Sequence, residues 1–409
     1  QDIGHRTYIS RLKLNIGIIG GGIAGLTTAY ELSKRGHKVT IFEKNPEPGG
    51  QMATFEVGGE RIERFYHHIF TNDTEMTHLI EELGLSQKLN WLESRVGTYR
   101  QGKVYKFATP IDLLRFSPLS LADRIRLGLT SLWLQRYKNW HNMEDVTAQD
   151  WIIKHAGKNN YEAMWQPLLR GKFGERADEV GMVWFWGKIH LRMASRGKGM
   201  QKEKLGYLDG SFGQVTDALV SRIKNAGGEI HTSSPIERIA VEESRVKGIK
   251  MGEQVVPFDA IITTISSPTF LEVAPQLPAD YVQKLKGVNY QAAACLVLTI
   301  KKQLSPFYWI NISDTSVPFV AAIEHTNMIS ESRYGGKRIL YLSNYLSADS
   351  PLYHKNAEEL LATYLPHIKK INPEFEPDWI EDLLPYTDEG AQSIIGTNYS
   401  QNISPLRTP

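Results

Sequence analysis

The chain has little of several features that define specialised protein classes. Among its 409 residues there is one cysteine, Cys295, so no internal disulfide can form and a reducing compartment such as the cytoplasm is expected. The longest clean apolar run, residues 292–298, is the length of a strand and too short to span a membrane. Lys and Arg number 47 against 45 Asp and Glu, which argues against nucleic-acid binding. The hydrophobic fraction of 41% and 34 glycines are typical of a folded enzyme of two or three domains.

A glycine-rich motif follows the first predicted strand. Residues 15–19 are mostly Ile and lead directly into Gly20-Gly21-Gly22-Ile23-Ala24-Gly25, which has the pattern G-x-G-x-x-G. A helix pattern follows, and a second predicted strand, residues 37–42, ends at Glu43. Gly20 allows a tight turn, Gly22 lets the backbone approach a pyrophosphate, and Gly25 lets helix and strand pack closely. Glu43 is placed to accept hydrogen bonds from a ribose diol and would repel a 2′-phosphate, so the motif predicts a dinucleotide other than NADP.

The residues after Glu43 bear on which dinucleotide is bound. Residues 44–50 contain two prolines and two glycines, which break any helix at a point where a simple nicotinamide-binding unit would begin one. Together with Gly49-Gly50 and the segment 58–70 (GGERIERFYHHIF), the chain resembles FAD-dependent amine oxidases, protoporphyrinogen oxidases and phytoene desaturases. The resemblance implies FAD as cofactor and places Lys44, Gly50, Gln51 and Met52 beside it. Many members have arginine where this chain has Gln51, so phosphate neutralisation is expected to rest on backbone amides and the helix end.

A second block of the chain carries the same resemblance. Residues 212–223 have apolar side chains at helical spacing, and short strand patterns follow, at 235–239 among other places, up to residues 258–268. The resemblance places Ile236 beside the adenine and Thr264 beside the cofactor. It implies an α/β fold in which a Rossmann-type FAD-binding domain, residues 14–85 and 205–275, is interleaved with other parts. These are a helical cap or substrate region, residues 86–204, and a mixed-sheet substrate domain, residues 276–409.

No metal site or protein nucleophile stands out. His67 and His68 are adjacent, so their side chains point in different directions, and zinc is not expected. The resemblance implies that the flavin accepts a hydride while the protein binds and orients the substrate. It also makes Tyr66, His67 and His68 candidates for residues near the flavin. Amine oxidases of the monoamine type usually carry a lysine in the strand that here is residues 290–295, which contains none. This argues against oxidation of an amine.

Three functions are compatible with these patterns. The first is an FAD-dependent oxidoreductase acting on a small organic substrate, the second is a redox-neutral enzyme similar to UDP-galactopyranose mutase, and the third is an inactive protein with the same fold. Relatives place a third cofactor segment at the C-terminus, and residues 399–409 look like the approach to it. Weak FAD binding, mainly through the ADP half, is therefore expected of this stretch of chain.

Partners other than the substrate are less well defined by the sequence. The aromatic segment 182–186 is followed by Lys188, His190, Arg192, Arg196 and Lys198. Its tryptophans are interpreted as core residues, and the stretch as a whole is interpreted either as a solvated basic loop or as a peripheral membrane contact. The amphipathic helix pattern at 356–365 is expected to end or kink at Pro366. The sequence leaves the oligomeric state open.

Overall fold

The computed structural model describes residues 13–107, 109–194, 203–403 and 407–409. Arg196 and Lys198 lie outside the described residues. The described chain divides into two compact units. Unit 1 comprises residues 13–54, 212–287 and 407–409, and unit 2 comprises residues 55–211 and 288–403. The cofactor-domain and cap ranges expected from the sequence stay a prediction, since they refer to what each segment binds and not to how it packs.

The described residues form a mixture of strands and helices. In chain order the strands are β1 (Asn15–Ile19), β2 (Lys38–Phe42), β3 (Thr54–Val57), β4 (Glu60–Glu63), β5 (Ile69–Phe70), β6 (Leu89–Glu93), β7 (Val96–Arg100), β8 (Lys103–Lys106), β9 (Lys204–Leu208), β10 (Glu229–His231), β11 (Arg238–Glu242), β12 (Arg245–Met251), β13 (Gln254–Pro257), β14 (Ala260–Thr263), β15 (Tyr290–Ile300), β16 (Trp309–Ile312), β17 (Ala321–Glu324), β18 (Arg338–Leu346) and β19 (Ile380–Ser393). The α-helices are α1 (Ile23–Lys34), α2 (Thr74–Glu82), α3 (Pro110–Leu114), α4 (Leu121–Arg136), α5 (Ala148–His155), α6 (Lys158–Asn160), α7 (Gln166–Phe173), α8 (Met182–Ala194), α9 (Gly213–Asn225), α10 (Ser267–Val273), α11 (Ala279–Lys286), α12 (Ala357–Ile371) and α13 (Tyr399–Asn402).

Unit 1 is built on a parallel sheet in the order β10-β2-β1-β14. The strands β1 and β2 are buried over most of their length, as a parallel sheet with helices packed against it requires. The predicted helix after the glycine motif is confirmed as α1, and Gly36 at φ +84° follows its end. The predicted helix at 212–223 is confirmed as α9. Because all four strands are parallel, their carboxyl ends lie at one edge of the sheet.

An antiparallel sheet of β11, β12 and β13 completes unit 1. The strand expected at 235–239 begins later, at Arg238, which pairs with Lys250 of β12. Pro235 has no backbone N–H to give to a ladder, so the chain enters the sheet only after it. Side chains of both sheets meet in one apolar cluster that includes Ile19, Phe42, Ile239 and Phe258.

Unit 2 is built on a seven-stranded sheet in the order β19-β15-β18-β17-β16-β7-β8. Adjacent strands of this sheet run antiparallel, except that β16 and β7 run parallel to each other. The Cys295 thiol is buried in β15, as expected for a core cysteine, and burial raises its pKa. The helix α12 packs on one face of the sheet through Leu360, Tyr364 and Ile368. This helix runs through Pro366 to Ile371, so the expected end at the proline is wrong. The apolar side chains, spaced by four residues, hold α12 on the sheet although Pro366 has no backbone N–H to donate within the helix.

The helices α3 to α8 form a helical part of unit 2. The segment 182–186 lies in α8, where Met182 and Phe185 are buried and Val183, Trp184 and Trp186 are half-buried against the same helical core. The aromatic side chains of this segment thus contribute to the helical core, and its contact with a membrane surface stays a prediction. Across the described residues no helix is both long and apolar enough to span a bilayer.

Candidate functional site

The glycine motif lies where β1 ends at the carboxyl edge of the parallel sheet. Gly20 takes φ +105°, a left-handed conformation that favours glycine, and its N–H donates to the Phe42 carbonyl at 2.9 Å. Thr264 follows β14 and donates its N–H to the Ile19 carbonyl at 2.9 Å. The Thr264 hydroxyl lies 3.2 Å from the Ile19 carbonyl oxygen and 3.3 Å from that of Gly20. The turn is thus clamped between two neighbouring strands.

The start of α1 packs against this turn more closely than any side chain allows. A Cβ atom on Gly25 would lie 2.0 Å from the Gly20 carbonyl oxygen and 3.0 Å from the Thr264 hydroxyl. Gly22 precedes the helix, and no side chain caps the first turn within the described part of the chain. The amides of Ile23, Ala24 and Gly25 belong to that first turn, where a helix presents unsatisfied N–H groups to an anion.

The second glycine pair lies directly against the first motif. The Gly49 N–H donates to the Gly21 carbonyl at 2.8 Å, and Gly49 and Gly50 both have positive φ, +127° and +56°. A Cβ atom on Gly22 would meet only the Cα of Gly50, at 3.9 Å, which is ordinary van der Waals contact. The space in front of Gly22 is therefore open enough for a ligand to approach the backbone.

The three residues after this pair complete the second loop. Gly50, Gln51 and Met52 form a single turn of 3₁₀ helix, in which Met52 is buried and Gln51 is exposed. Lys44 is also exposed, and among the described residues its side chain makes no hydrogen bond or ion pair with the loop. The structure therefore brings the backbone of Gly50 to the glycine motif, whereas it does not bring the Lys44 side chain there.

Glu43 lies at the end of β2 with its side chain almost fully buried, at 5% exposure. One carboxylate oxygen accepts the Gly21 N–H at 2.7 Å and the other accepts the Asn45 N–H at 2.8 Å. Each oxygen of a carboxylate has two lone pairs, so both can still accept a ligand hydroxyl. The carboxylate therefore fixes the loop and remains a ligand acceptor.

Two other residues of unit 1 extend this cradle. Ile236 packs in the apolar cluster beside Ile19 and Phe42. Thr216 in α9 was missed by the sequence analysis, and its buried hydroxyl has no hydrogen-bond partner among the described residues. It lies 3.6 Å from the position that a Cβ atom of Gly49 would take. These groups fit a nucleotide that carries a pyrophosphate and a ribose. The amides at the start of α1 and the open backbone at Gly22 suit the pyrophosphate, and the buried Glu43 carboxylate suits the ribose. The unpaired Thr216 hydroxyl is a further polar group beside them.

Tyr66, His67 and His68 lie in unit 2, between β4 and β5. The Tyr66 ring packs edge-on to Trp309 of β16, with centroids 4.7 Å apart, and to Tyr341 of β18 at 6.1 Å. Its hydroxyl is within hydrogen-bonding reach of Ser343 and Tyr345. Burial raises the pKa of Tyr66, so this hydroxyl stays protonated.

The two histidines are neutral groups in this setting. His67 Nδ1 lies 2.5 Å from the Phe65 carbonyl oxygen, and burial lowers its pKa. His68 Nδ1 lies 3.2 Å from the Tyr308 hydroxyl, and its ring is edge-on to Phe70 and Trp309. Burial, with Arg192 and His67 as further causes, lowers the pKa of His68 to about 3. An imidazole with this pKa is a poor proton acceptor at neutral pH.

These residues lie on one face of the seven-stranded sheet, opposite the face that α12 covers. Strand residues alternate between faces, so Tyr341, Ser343 and Tyr345 share a face, and Cys295 pairs with Ser343 on it. Leu340 and Leu342 point the other way, into the core beneath α12. We call the first face the aromatic face; it comprises Tyr66, Cys295, Trp309, Tyr341, Ser343 and Tyr345.

The aromatic face also receives one charged side chain that the sequence analysis missed. Lys172 of α7 has its ammonium nitrogen 4.6 Å from the centre of the Tyr345 ring. Burial, with the nearby charge of Lys188 as a further cause, lowers the pKa of Lys172 to about 8. In β18 every second residue, Tyr341, Ser343 and Tyr345, is polar or aromatic, and this pattern could have predicted the face from the sequence. No comparable pattern links Lys172 to β18.

Comparison with known proteins identifies the family. The model of the family described as flavin containing amine oxidoreductase matches residues 23–393. Coproporphyrinogen III oxidase of Staphylococcus aureus is 24% identical over 326 residues, which cover 71% of this chain and 68% of the relative. The 15-cis-phytoene desaturase of Synechococcus elongatus is 21% identical over 391 residues, which cover 88% and 80%.

Solved structures share the fold. An oxidoreductase from Methanosarcina mazei superimposes with a TM-score of 0.71 at 20% identity, over 92% of this chain and 88% of the other. Reduced UDP-galactopyranose mutase superimposes with a TM-score of 0.73 at 16% identity, over 96% and 85%. These likenesses confirm the expected α/β fold of FAD-binding type, and the family match covers most of the sequence. The chain belongs to the flavin-containing amine oxidoreductase family and is an FAD-dependent oxidoreductase.

Proposed function

We propose that the edge of the parallel sheet in unit 1 holds the ADP half of FAD. The backbone around Gly20, Gly22, Gly50 and the first turn of α1, including Ile23, Ala24 and Gly25, receives the pyrophosphate. The Glu43 carboxylate accepts the ribose hydroxyls. The observation that carries the proposal is the open space at Gly22, which lies between unsatisfied helix amides and a buried carboxylate.

Five further residues are assigned to the proposed cofactor site. Ile236 packs beside the adenine, Thr264 holds the turn at Gly20, and Gln51 and Met52 continue the second loop. Lys44 contributes charge near the loop from the solvent side. The loop after Gly50 has Gln51 and no arginine, so backbone amides provide most of the interactions with the phosphates.

We infer that the aromatic face of unit 2 binds a small organic substrate. When bound, FAD supplies the acceptor for a hydride from such a substrate. Tyr66 offers a protonated hydroxyl and an aromatic edge, while His67 and His68 stay neutral at pH 7. These groups orient a substrate and exclude water, and the pKa of His68 argues against it as the base that removes a proton.

The test is a spectrum of the purified protein reconstituted with FAD. An oxidoreductase shows the yellow flavin bands, and the bands bleach when an oxidisable substrate is added without oxygen. A mutase-like enzyme instead turns over a UDP-sugar only after reduction with dithionite, with no net bleaching. A protein that stays colourless with added FAD would overturn both assignments.

We also infer a peripheral contact with an anionic membrane surface, at a place other than the one expected from the sequence. The helix α4 carries a stripe of large apolar side chains that are 42–63% exposed: Leu121, Ile125, Leu129, Leu132 and Trp133. Ile111 and Leu114 of α3 are exposed as well, at 43% and 48%. We call these seven residues the α3–α4 face. A monomer rarely exposes such a patch without a partner.

The charges around the α3–α4 face favour lipid over a neutral partner. Arg115, Arg136 and Lys138 are exposed on these helices or next to them. Of the acidic residues on the two helices, Asp112 is buried and Asp123 accepts hydrogen bonds from Ser120 and Asn159. An apolar stripe with basic flanks is the pattern of a helix that lies in the interface of an anionic bilayer.

A further inference from the structure

The ammonium group of Lys172 is half-buried with no carboxylate beside it. Among the described residues no Asp or Glu oxygen lies within 4 Å of its nitrogen, and its recorded partner is the Tyr345 ring at 4.6 Å. A cation–π contact offsets only part of the cost of burying a charge. Lysines are seldom buried without an ionic partner, because an ammonium group taken out of water loses its hydration. Within the part of the chain that the structure describes, the positive charge of this group is therefore not balanced by a carboxylate.

Neighbouring charges strengthen the positive field at this point. Lys188 of α8 is close enough to lower the pKa of Lys172, and its own nitrogen lies 5.6 Å from the Trp184 ring. Burial and the charge of Arg192, one turn further along α8, lower the pKa of Lys188, while Asp73 raises it. Arg192 pairs with Glu203 at 3.2 Å. Both acids thus act on α8, and neither is paired with Lys172. A cation would be repelled at Lys172 and an anion would be attracted.

We propose that Lys172 is the specificity residue of the aromatic face and that it binds the carboxylate of a substrate whose body is apolar or planar. This rests on the proposed function, since it names the substrate class of the same site. The half-buried rings of Tyr66 and Trp309 supply the apolar surface, and Tyr345 holds the ammonium group in place. The family match alone leaves amines among the candidate substrates, whereas this arrangement disfavours them and selects organic acids.

Three probes with one ring system and different charges test the proposal: 2-naphthoate, 2-naphthamide and 2-naphthylmethylamine. Their binding to the FAD-loaded protein at pH 7 is measured by calorimetry. The expected order is naphthoate first, by at least about tenfold over the amide, which corresponds to 1.4 kcal/mol, and the amine last. Raising the pH from 7 to 10 should weaken naphthoate and leave the amide unchanged, because Lys172 loses its charge over that range.

Variants separate charge recognition from packing. Lys172→Met should remove the preference for naphthoate, and Lys172→Arg should keep most of it. Lys302→Met is the matched control, because the Lys302 nitrogen lies 4.9 Å from the Trp379 ring in the same kind of contact away from the aromatic face. If Lys172→Met does not fold, Lys172→Arg and the pH series in the unaltered protein still decide the question.

The outcomes distinguish this inference from the proposed function. A protein that binds no FAD contradicts the proposed function before any probe is added. If FAD binds with its normal spectrum, equal affinities for the three probes, no naphthoate binding at millimolar concentration, or equal effects of Lys172→Met and Lys302→Met would each overturn the role of Lys172.

Discussion

At the scale of single residues, a substitution at Gly22 should affect FAD binding much more than it affects folding. Its φ of −70° suits any residue, and an added methyl group would meet only the Gly50 Cα at 3.9 Å. Gly22→Ala should therefore change the free energy of unfolding by no more than about 1 kcal/mol. The same methyl group would occupy the space proposed for the pyrophosphate. FAD affinity, measured by calorimetry, should fall at least about tenfold.

A matched glycine gives the control for this substitution. Gly187 lies in α8, in unit 2, and an added Cβ there meets no atom within 4 Å. Gly187→Ala should leave FAD affinity unchanged. If Gly22→Ala binds FAD as tightly as the unaltered protein, the pyrophosphate does not approach the backbone at Gly22.

His325 gives a prediction about pH. Its ring is buried against Tyr207, its Nε2 lies 2.8 Å from the Tyr334 hydroxyl, and burial lowers its pKa to about 3. The unfolded chain takes up a proton near the ordinary value of about 6.5, whereas the folded chain does not. Stability is therefore full above pH 6.5 and is lost as the pH falls towards 3, with a slope of up to about 1.4 kcal/mol per pH unit for this one proton.

Substitution of this histidine should flatten the acid side of the stability profile. The free energy of unfolding of His325→Gln, from urea denaturation at pH 4 to 7, should depend less steeply on pH than that of the unaltered protein. His141→Gln should keep the original slope, since the His141 side chain is 68% exposed. A slope in His325→Gln as steep as in the unaltered protein would contradict a neutral buried imidazole at position 325.

At the scale of elements, local patterns predicted α1 and α9, and they misplaced the strand β11 and the end of α12. Both correct predictions rest on apolar residues at helical spacing with glycines at the end. The error at Pro366 has a tertiary cause: the stripe of Leu360, Tyr364 and Ile368 is buried against a sheet, and this contact outweighs one missing amide. The sequence around Pro366 does not indicate that α12 packs against a sheet.

The two candidate sites differ in the same way. The glycine motif, Glu43 and the second glycine pair lie within about one supersecondary unit, so their spacing alone predicted the cofactor cradle. The aromatic face collects Tyr66, Lys172, Trp309 and Tyr345 from four distant segments. The pairing of β16, β17 and β18 aligns Trp309 with the residues of β18, and the packing of α7 on β18 brings Lys172 to Tyr345. Neither arrangement follows from local sequence.

The α3–α4 face is a property of two helices and gives the prediction for this scale. The protein should co-sediment with vesicles that contain phosphatidylglycerol and much less with pure phosphatidylcholine, and salt should weaken the binding. The double variant Leu121→Ser, Leu129→Ser should lose most of this binding, because these two side chains are 60% and 63% exposed.

The control for the vesicle experiment is Leu191→Ser in α8, where the side chain is 57% exposed outside the α3–α4 face. It should bind vesicles like the unaltered protein. Vesicle binding that survives the double variant would contradict the assignment. A dimer that the double variant abolishes, without any vesicle binding, would show that a second copy of the chain covers this face.

At the scale of the whole molecule, the chain assigns two jobs to two compact units. Unit 1 has the acceptors and amides that we propose bind a nucleotide, and unit 2 has the aromatic and cationic groups that we propose bind an organic acid. Unit 1 is assembled from segments on both sides of residues 55–211. The glycine motif on β1 and Thr264 after β14 therefore come together only when the sheet forms, as the Thr264 hydrogen bond to the Ile19 carbonyl shows.

This division predicts which half of FAD provides the affinity. Three groups at the edge of the unit 1 sheet suit ADP. They are the Glu43 carboxylate for the ribose, the amides at the start of α1 for the phosphates, and the apolar Ile236 side chain for the adenine. In calorimetry on the apo protein, ADP should bind and compete with FAD, whereas FMN should bind at least about tenfold more weakly than ADP. Glu43→Gln should weaken FAD and ADP alike, because the loss is at the ribose, while Glu229→Gln on the neighbouring strand β10 should weaken neither, since the Glu229 side chain is 49% exposed. FMN bound as tightly as ADP would show that the flavin half holds the cofactor and would contradict this division.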